Sequence, residues 1–165
     1  MANKTVDLGC GNVKRGQGEI IGIDMSKDSV ADIICNLGFE KIPLPDNYAD
    51  LVIAHHFLEH LPFVVWYKEE EVWKRHLPVI FLFREIWRIL KPDGLFEVTV
   101  PCYPNRVCFQ DPTHQSFWTD ETLNYFVGDK YGLGKIYGID FNFEKVAQNL
   151  LPDGWQLKFI LKAKK

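Results

Sequence analysis

Five short runs rich in Val, Ile and Leu set the outline of the chain: Thr5 to Leu8, Ile20 to Asp24, Asp32 to Cys35, Asp50 to Ala54 and Leu95 to Val100. Each is nearly continuous, without regular apolar and polar alternation. A strand with one wet face alternates and a strand buried on both faces does not, so these runs predict a parallel sheet in an α/β fold. A helix precedes the last run. Val79, Leu82, Phe83, Ile86, Trp87 and Leu90 follow helical spacing, Pro78 suits a first turn, and Pro92-Asp93-Gly94 stops it. Helix then strand is the crossover that parallel pairing requires.

The spacing between runs carries an anomaly. Only Gly9 to Glu19 separate the first run from the second, and only Met25 to Ala31 the second from the third, too few for covering helices. One sheet face is therefore expected to lack helices between the first three strands. Its cover is expected from a second subunit, a lid or the tryptophan-rich insertion Phe63 to His76. That insertion sets Val65, Trp66, Val72 and Trp73 beside Lys68 and Glu69 to Glu71, which predicts an exposed amphipathic helix. Farther on, Pro101 to Trp118 reads as a long loop, and Thr119-Asp120-Glu121 opens a short helix through Phe126. Lys135 to Val146 and Trp155 to Lys162 read as a hairpin turning at Leu151 to Gly154. For 165 residues without a repeat, one domain over 1–165 is expected.

Charge excludes several partners. With 19 Lys+Arg against 22 Asp+Glu, the net charge of -3 gives little attraction for phosphate backbones or anionic lipid. Neither nucleic acid nor membrane is expected. No apolar run reaches the ~20 residues of a bilayer span, and Met1 to Val6 lack a signal-peptide succession, so a cytoplasmic protein is expected. Cys10, Cys35, Cys102 and Cys108 form no CxxC pair and read as free thiols. Cys102, Cys108 and His114 are evenly spaced, but zinc wants a fourth ligand, and no metal site is expected.

The strongest chemical signal is Asp7-Leu8-Gly9-Cys10-Gly11 at the end of the first strand, with Ile23-Asp24 at the end of the second. Glycines there let a ligand approach the backbone, and an acid ending the neighbouring strand can accept from both hydroxyls of a ribose. A nucleoside fits. The plainer alternative is a tight turn with Asp24 as a cap. A dinucleotide fingerprint would need glycine at Lys14 and a helix N-terminus that the short connection scarcely provides.

In this order, DLGCG (Asp7 to Gly11), IGID (Ile21 to Asp24), IPLPDNYADLV (Ile42 to Val52), HHFLEHL (His55 to Leu61), REIWRILKPDG (Arg84 to Gly94) and FEVTVP (Phe96 to Pro101) resemble class I S-adenosylmethionine-dependent methyltransferases, particularly the small branch of the methyltransferase type 11-like group. The resemblance covers nearly the whole chain. It implies a Rossmann-like seven-stranded sheet ordered 3-2-1-4-5-7-6 with the last strand antiparallel, and S-adenosylmethionine as cofactor. It implies that the segment Asp7, Gly9, Cys10 and Gly11 holds the methionine end and Asp24 the ribose. Met25 would lie against the adenosine, Asn36 and Leu37 at the adenine edge, and His55 near the methionine moiety. At the adenine edge an acid is common in the family, and Asn36 offers an amide oxygen instead.

Methyl transfer from a sulfonium is an in-line displacement that loses charge, so alignment and exclusion of water can supply much of the rate. A base is needed only for acceptors that must lose a proton. Candidates lie on two loops: His56, Glu59 and His60 after the fourth strand, and Tyr103, Asp111 and His114 after the fifth. His114, His56 and Asp111 are the expected catalytic residues, against the alternative that they merely hold their loops. Pro101-Cys102 follows the fifth strand, not the fourth as in cytosine methyltransferases, and no Asp/Asn-Pro-Pro-aromatic motif follows the fourth strand. The expected function is methyl transfer to a small-molecule or sugar-like acceptor by a possible homodimer. The alternative is an inactive nucleoside-binding or oligomeric interaction module with the same fold.

Overall fold

The computed structural model describes residues 3–128 and 133–165. Strands β1 (Lys4–Leu8), β2 (Glu19–Asp24), β3 (Ile33–Ile34) and β4 (Ala49–His55) are followed by a small hairpin, β5 (Val65–Glu69) and β6 (Val72–His76). Helix α1 (Pro78–Ile89) leads into β7 (Leu90–Pro101), then come two single turns of helix, α2 (Val107–Gln110) and α3 (Gly134–Tyr137), and strands β8 (Asn142–Leu150) and β9 (Gln156–Lys164). The main sheet has seven strands ordered β3-β2-β1-β4-β7-β9-β8. β1 to β4 and β7 pair in parallel, and β9 runs antiparallel to both β7 and β8. With the hairpin set aside, this is the 3-2-1-4-5-7-6 order with its reversed last strand.

One face of the sheet carries the core. Val6, Leu8, Val52, Ala54, Phe96, Val98, Phe159 and Leu161 are fully buried there, with Val79, Leu82, Phe83, Ile86 and Ile89 of α1 in the same cluster. The i, i+3, i+4 spacing of these helix residues is what turns one side of α1 onto the sheet. Glu85, on the same helix, is buried and paired with Arg88 at 2.7 Å, while its carboxylate accepts from the Ile42 N–H at 2.9 Å. Arg88 also donates to the Ile42 and Leu44 carbonyls, so the pair fastens the segment before β4 to the helix.

The opposite face lacks helices, as the short connections predict: residues 9–18 and 25–32 are turns and irregular chain. The insertion does not cover it. Val65 to His76 form an antiparallel hairpin, correcting the expected helix, with Glu69 paired to Val72 across a two-residue Glu70-Glu71 turn. Both turn residues take a positive φ, 46° and 66°, the geometry that matches the twist of paired strands. Val, Trp and Tyr favour a pleated surface, and ion pairs Lys74–Glu69 and Lys68–Glu71 close the turn. The hairpin's root packs through His76 on Phe39 and Phe81, on the side of α1. A second correction concerns the expected strand Lys135 to Val146: Gly134–Tyr137 form a helical turn ended by Gly138 at φ 77°, and the strand begins at Asn142.

Candidate active site

The carboxyl ends of β1, β2 and β4 enclose a cavity of about 440 Å³, lined by Gly9, Asp24, Met25, Asn36, Leu37 and His56 among others. Gly9 sits at φ +64°, and a Cβ there would collide with the Phe57 ring, so only glycine fits. The Gly11 N–H donates to Asp24 Oδ2 at 3.0 Å and the Ser26 N–H to Asp24 Oδ1 at 2.8 Å. This fixes the Asp24 carboxylate at the cavity wall while each oxygen keeps lone-pair capacity for further donors. A small residue under an aromatic wall, an oriented carboxylate and an amide at the far edge fit the methionyl, ribose and adenine parts of S-adenosylmethionine in turn.

Four of the expected cofactor residues lie outside this cavity's lining. Gly11 acts through its amide on Asp24, as above. Cys10 is buried against β2. Asp7 accepts the Arg15 N–H on Oδ2 at 2.6 Å, its Oδ1 is buried without a partner, and burial lifts its carboxyl to about 6. It holds the glycine loop in place. His55 continues the parity of Leu51 and Ile53 and lines a cavity of about 350 Å³ on the helix-free face, where burial and then neighbouring His56 hold its pKa below the usual histidine value.

A second, smaller cavity of about 250 Å³ is lined by His56, Glu59, His60, Asp111, His114 and Trp155 among others. His56 and His60 line both cavities. The three expected catalytic residues therefore meet in one place. His56 leaves the strand at φ 51°, stacks on Trp155, and sets Nδ1 at 3.1 Å from Glu59 Oε1 and Nε2 at 2.9 Å from Gln156 Oε1. The hydrogen bond to Glu59 raises its pKa above the usual histidine value. Asp111 accepts the N–H and hydroxyl of Thr113 at 2.8 and 2.7 Å, which holds its carboxyl below the usual range. His114 donates Nδ1–H to the Cys108 carbonyl at 2.9 Å. Gln156, a hundred positions from His56, had no local signal in the sequence.

A family model described as a methyltransferase domain matches residues 6–98, more than half of the chain. A search of curated proteins found no match. Among solved structures, a SAM-dependent methyltransferase from Archaeoglobus fulgidus is similar at 19% identity, 97% of this chain, 86% of that chain and TM-score 0.61. A chain of the complex between the Haloferax volcanii Trm112 methyltransferase activator and a methyltransferase is similar at 15% identity, 99% and 83% coverage and TM-score 0.64. The [4+2]-cyclase SpnF is similar at 17% identity, 98% and 74% coverage and TM-score 0.65. The chain belongs to the methyltransferase-domain family of class I S-adenosylmethionine-dependent methyltransferases, and S-adenosylmethionine is its cofactor. Among the described residues no helix is long and apolar enough to cross a membrane.

Proposed function

We propose that the protein methylates a small-molecule or sugar-like acceptor seated in the smaller cavity, with the cofactor in the larger. The observation that carries this reading is the pair of cavities meeting at His56 and His60. S-adenosylmethionine, when bound, supplies the electrophilic methyl group. In the larger cavity Gly9 gives the methionyl end close approach to the backbone, Asp24 accepts from the ribose hydroxyls, Met25 packs on the adenosine, and Asn36 and Leu37 border the adenine. Asp7, Cys10 and Gly11 hold that wall in shape, and His55 braces the end of β4 from the other side. At the junction His56 stands between Glu59 and Gln156 and orients the acceptor, while His114 and Asp111 close the far side and receive or stabilise a proton where the acceptor must lose one. Four free thiols suit a reducing, cytoplasmic setting, and the net charge of -3 supports an acceptor other than nucleic acid.

Calorimetry with S-adenosylmethionine and S-adenosylhomocysteine tests the reading directly. Saturable binding is expected, and Asp24→Ala is expected to weaken it more than tenfold, since charge-assisted hydrogen bonds of this kind contribute about 1.5 to 3 kcal/mol. Absence of binding at millimolar ligand would sink the proposal. The similarity to a [4+2]-cyclase keeps a second reading in view, a cofactor-binding fold that does not transfer the methyl; binding without any methylated product across a broad acceptor panel would favour it. The helix-free face supports a homodimer, and a monomeric mass by light scattering at high concentration would remove that part.

A further inference from the structure

Glu59, His60 and His114 each bring one ligand atom to within 4.8 Å of the others in the wall of the smaller cavity. For a neutral imidazole, the hydrogen bonds select which ring nitrogen carries the proton. The Thr113 hydroxyl donates to Asp111 Oδ1 at 2.7 Å, so its oxygen accepts from His60 Nδ1–H at 2.9 Å. In the neutral ring His60 Nε2 is then a lone pair. The Cys108 carbonyl can only accept, so a neutral His114 ring carries its proton on Nδ1, 2.9 Å away, and leaves Nε2, 4.0 Å from Asp111 Oδ2, as a lone pair. Glu59 is 2% exposed; His56 engages its Oε1, while Oε2 is buried with no partner. An orphaned carboxylate oxygen inside a protein calls for a cation or a donor.

We infer that Glu59, His60 and His114 form a site for a divalent first-row transition ion, Zn²⁺ in the first instance, at the acceptor side of the cofactor cavity. Two imidazole nitrogens and one carboxylate are donors that suit zinc and its neighbours better than magnesium or calcium, and three protein ligands leave a position open. The outer partners are already in place: Thr113 and the Cys108 carbonyl orient the two rings by accepting their Nδ1–H, and His56 holds the carboxylate. The edge of a zinc tetrahedron, about 3.4 Å, lies inside the 4.8 Å within which the three donors already sit, so small side-chain shifts would complete the coordination. The open position faces the acceptor cavity, where an ion would hold an acceptor oxygen and, with the His114 lone pair committed to it, would replace that ring in easing loss of the acceptor's proton, to water. That role rests on the methyl-transfer reading; the site itself does not.

The test uses untagged, chelator-treated protein without cofactor, titrated with Zn²⁺ by calorimetry and with Co²⁺ by visible absorption. One ion per chain is expected, with cobalt d–d bands and no thiolate-to-metal band. His114→Ala, His60→Ala and Glu59→Gln are each expected to weaken Zn²⁺ binding about tenfold or more, while Cys102→Ser with Cys108→Ser leaves it unchanged. Circular dichroism of each variant reports folding, and the two histidine variants carry the test if Glu59→Gln does not fold. No saturable Zn²⁺ binding, unchanged affinity in the histidine variants, or a thiolate band would overturn the inference. Since S-adenosylmethionine binding is measured separately, failure of the metal site and failure of the methyl-transfer reading give different results.

Discussion

The two faces of the main sheet are made by the same strands and differ in almost everything else. Toward α1, Val6, Val52, Phe96 and Phe159 are fully buried. On the other face, Leu51, Ile53 and Leu95 are only half-buried, and they alternate in register with Thr5, Glu97 and Lys162. The Lys158–Glu97 pair at 2.6 Å lies across that surface. Long charged side chains can cover apolar surface with their stems, which is how a sheet face without helices stays wet. The lesson is that a nearly continuous apolar run reports strand burial on one face and aliphatic content on the other, not two layers of helix.

The largest effect expected from this contrast is in side-chain truncation. Phe83 is fully buried, stacks on Phe126 at 4.1 Å and meets Phe96 edge-on. Phe83→Ala is expected to lower stability by about 3 to 5 kcal/mol in urea denaturation. Ile53→Ala on the other face is expected to cost well under half of that, since Ile53 is already in partial contact with water. Equal costs would mean that something covers the bare face in solution. Next comes Glu85→Gln, which leaves Arg88 without its main counter-charge inside the protein; about 3 kcal/mol is expected from the same measurement. A loss below about 1 kcal/mol would show that Arg88 relaxes into solvent.

Asp7 belongs by register to the bare face, opposite Ile53, yet the glycine loop buries it. Its carboxyl is lifted from 3.8 to about 6 by that burial. Between these values the folded protein binds more protons than the unfolded chain, so stability from this group is complete below 3.8 and is lost as pH rises through about 6. The loss amounts to about 3 kcal/mol, at 1.36 kcal/mol per unit. Denaturation midpoints of the cofactor-free protein from pH 4 to 7 should therefore fall relative to those of Asp7→Asn. Parallel curves would show that water reaches Oδ1 and that the loop does not seal this part of the face.

The sheet order was implied by the family resemblance, whereas the larger cavity was readable because it depends on local chemistry at strand ends. Gly9 needs its positive φ and Asp24 its place at the end of β2, and both requirements leave residue types behind. The hairpin was not readable for the converse reason. Its turn places Glu70 and Glu71 in a conformation that glycine or asparagine would have announced, so Val65 to His76 looked like a charged helix. His55 and His56 show a subtler limit. Strand parity sends His55 to the bare face with Ile53, and only the positive φ of His56 turns its ring into the site, where it meets Gln156 from the far end of the chain. The lone pairs of His60 and His114 depend on Thr113 and Cys108 in the same way, through contacts that spacing does not encode.

The smallest expected effect is the most pointed test of the bare face. Glu97 and Lys158 are each about a third exposed, so Glu97→Ala should change the stability of an isolated chain by less than about 1 kcal/mol, and added salt should shrink the difference further. If a second copy covers this face, the pair is removed from water and the same variant acts on assembly: the midpoint becomes dependent on protein concentration and shifts with the substitution. Measuring Glu97→Ala at two widely separated protein concentrations thus distinguishes a face that water covers from one that a partner covers. A small, concentration-independent change leaves the contrast between the two faces as a property of the single chain. A larger one that shrinks with dilution would mean that the helices missing from this chain are replaced by another copy of it.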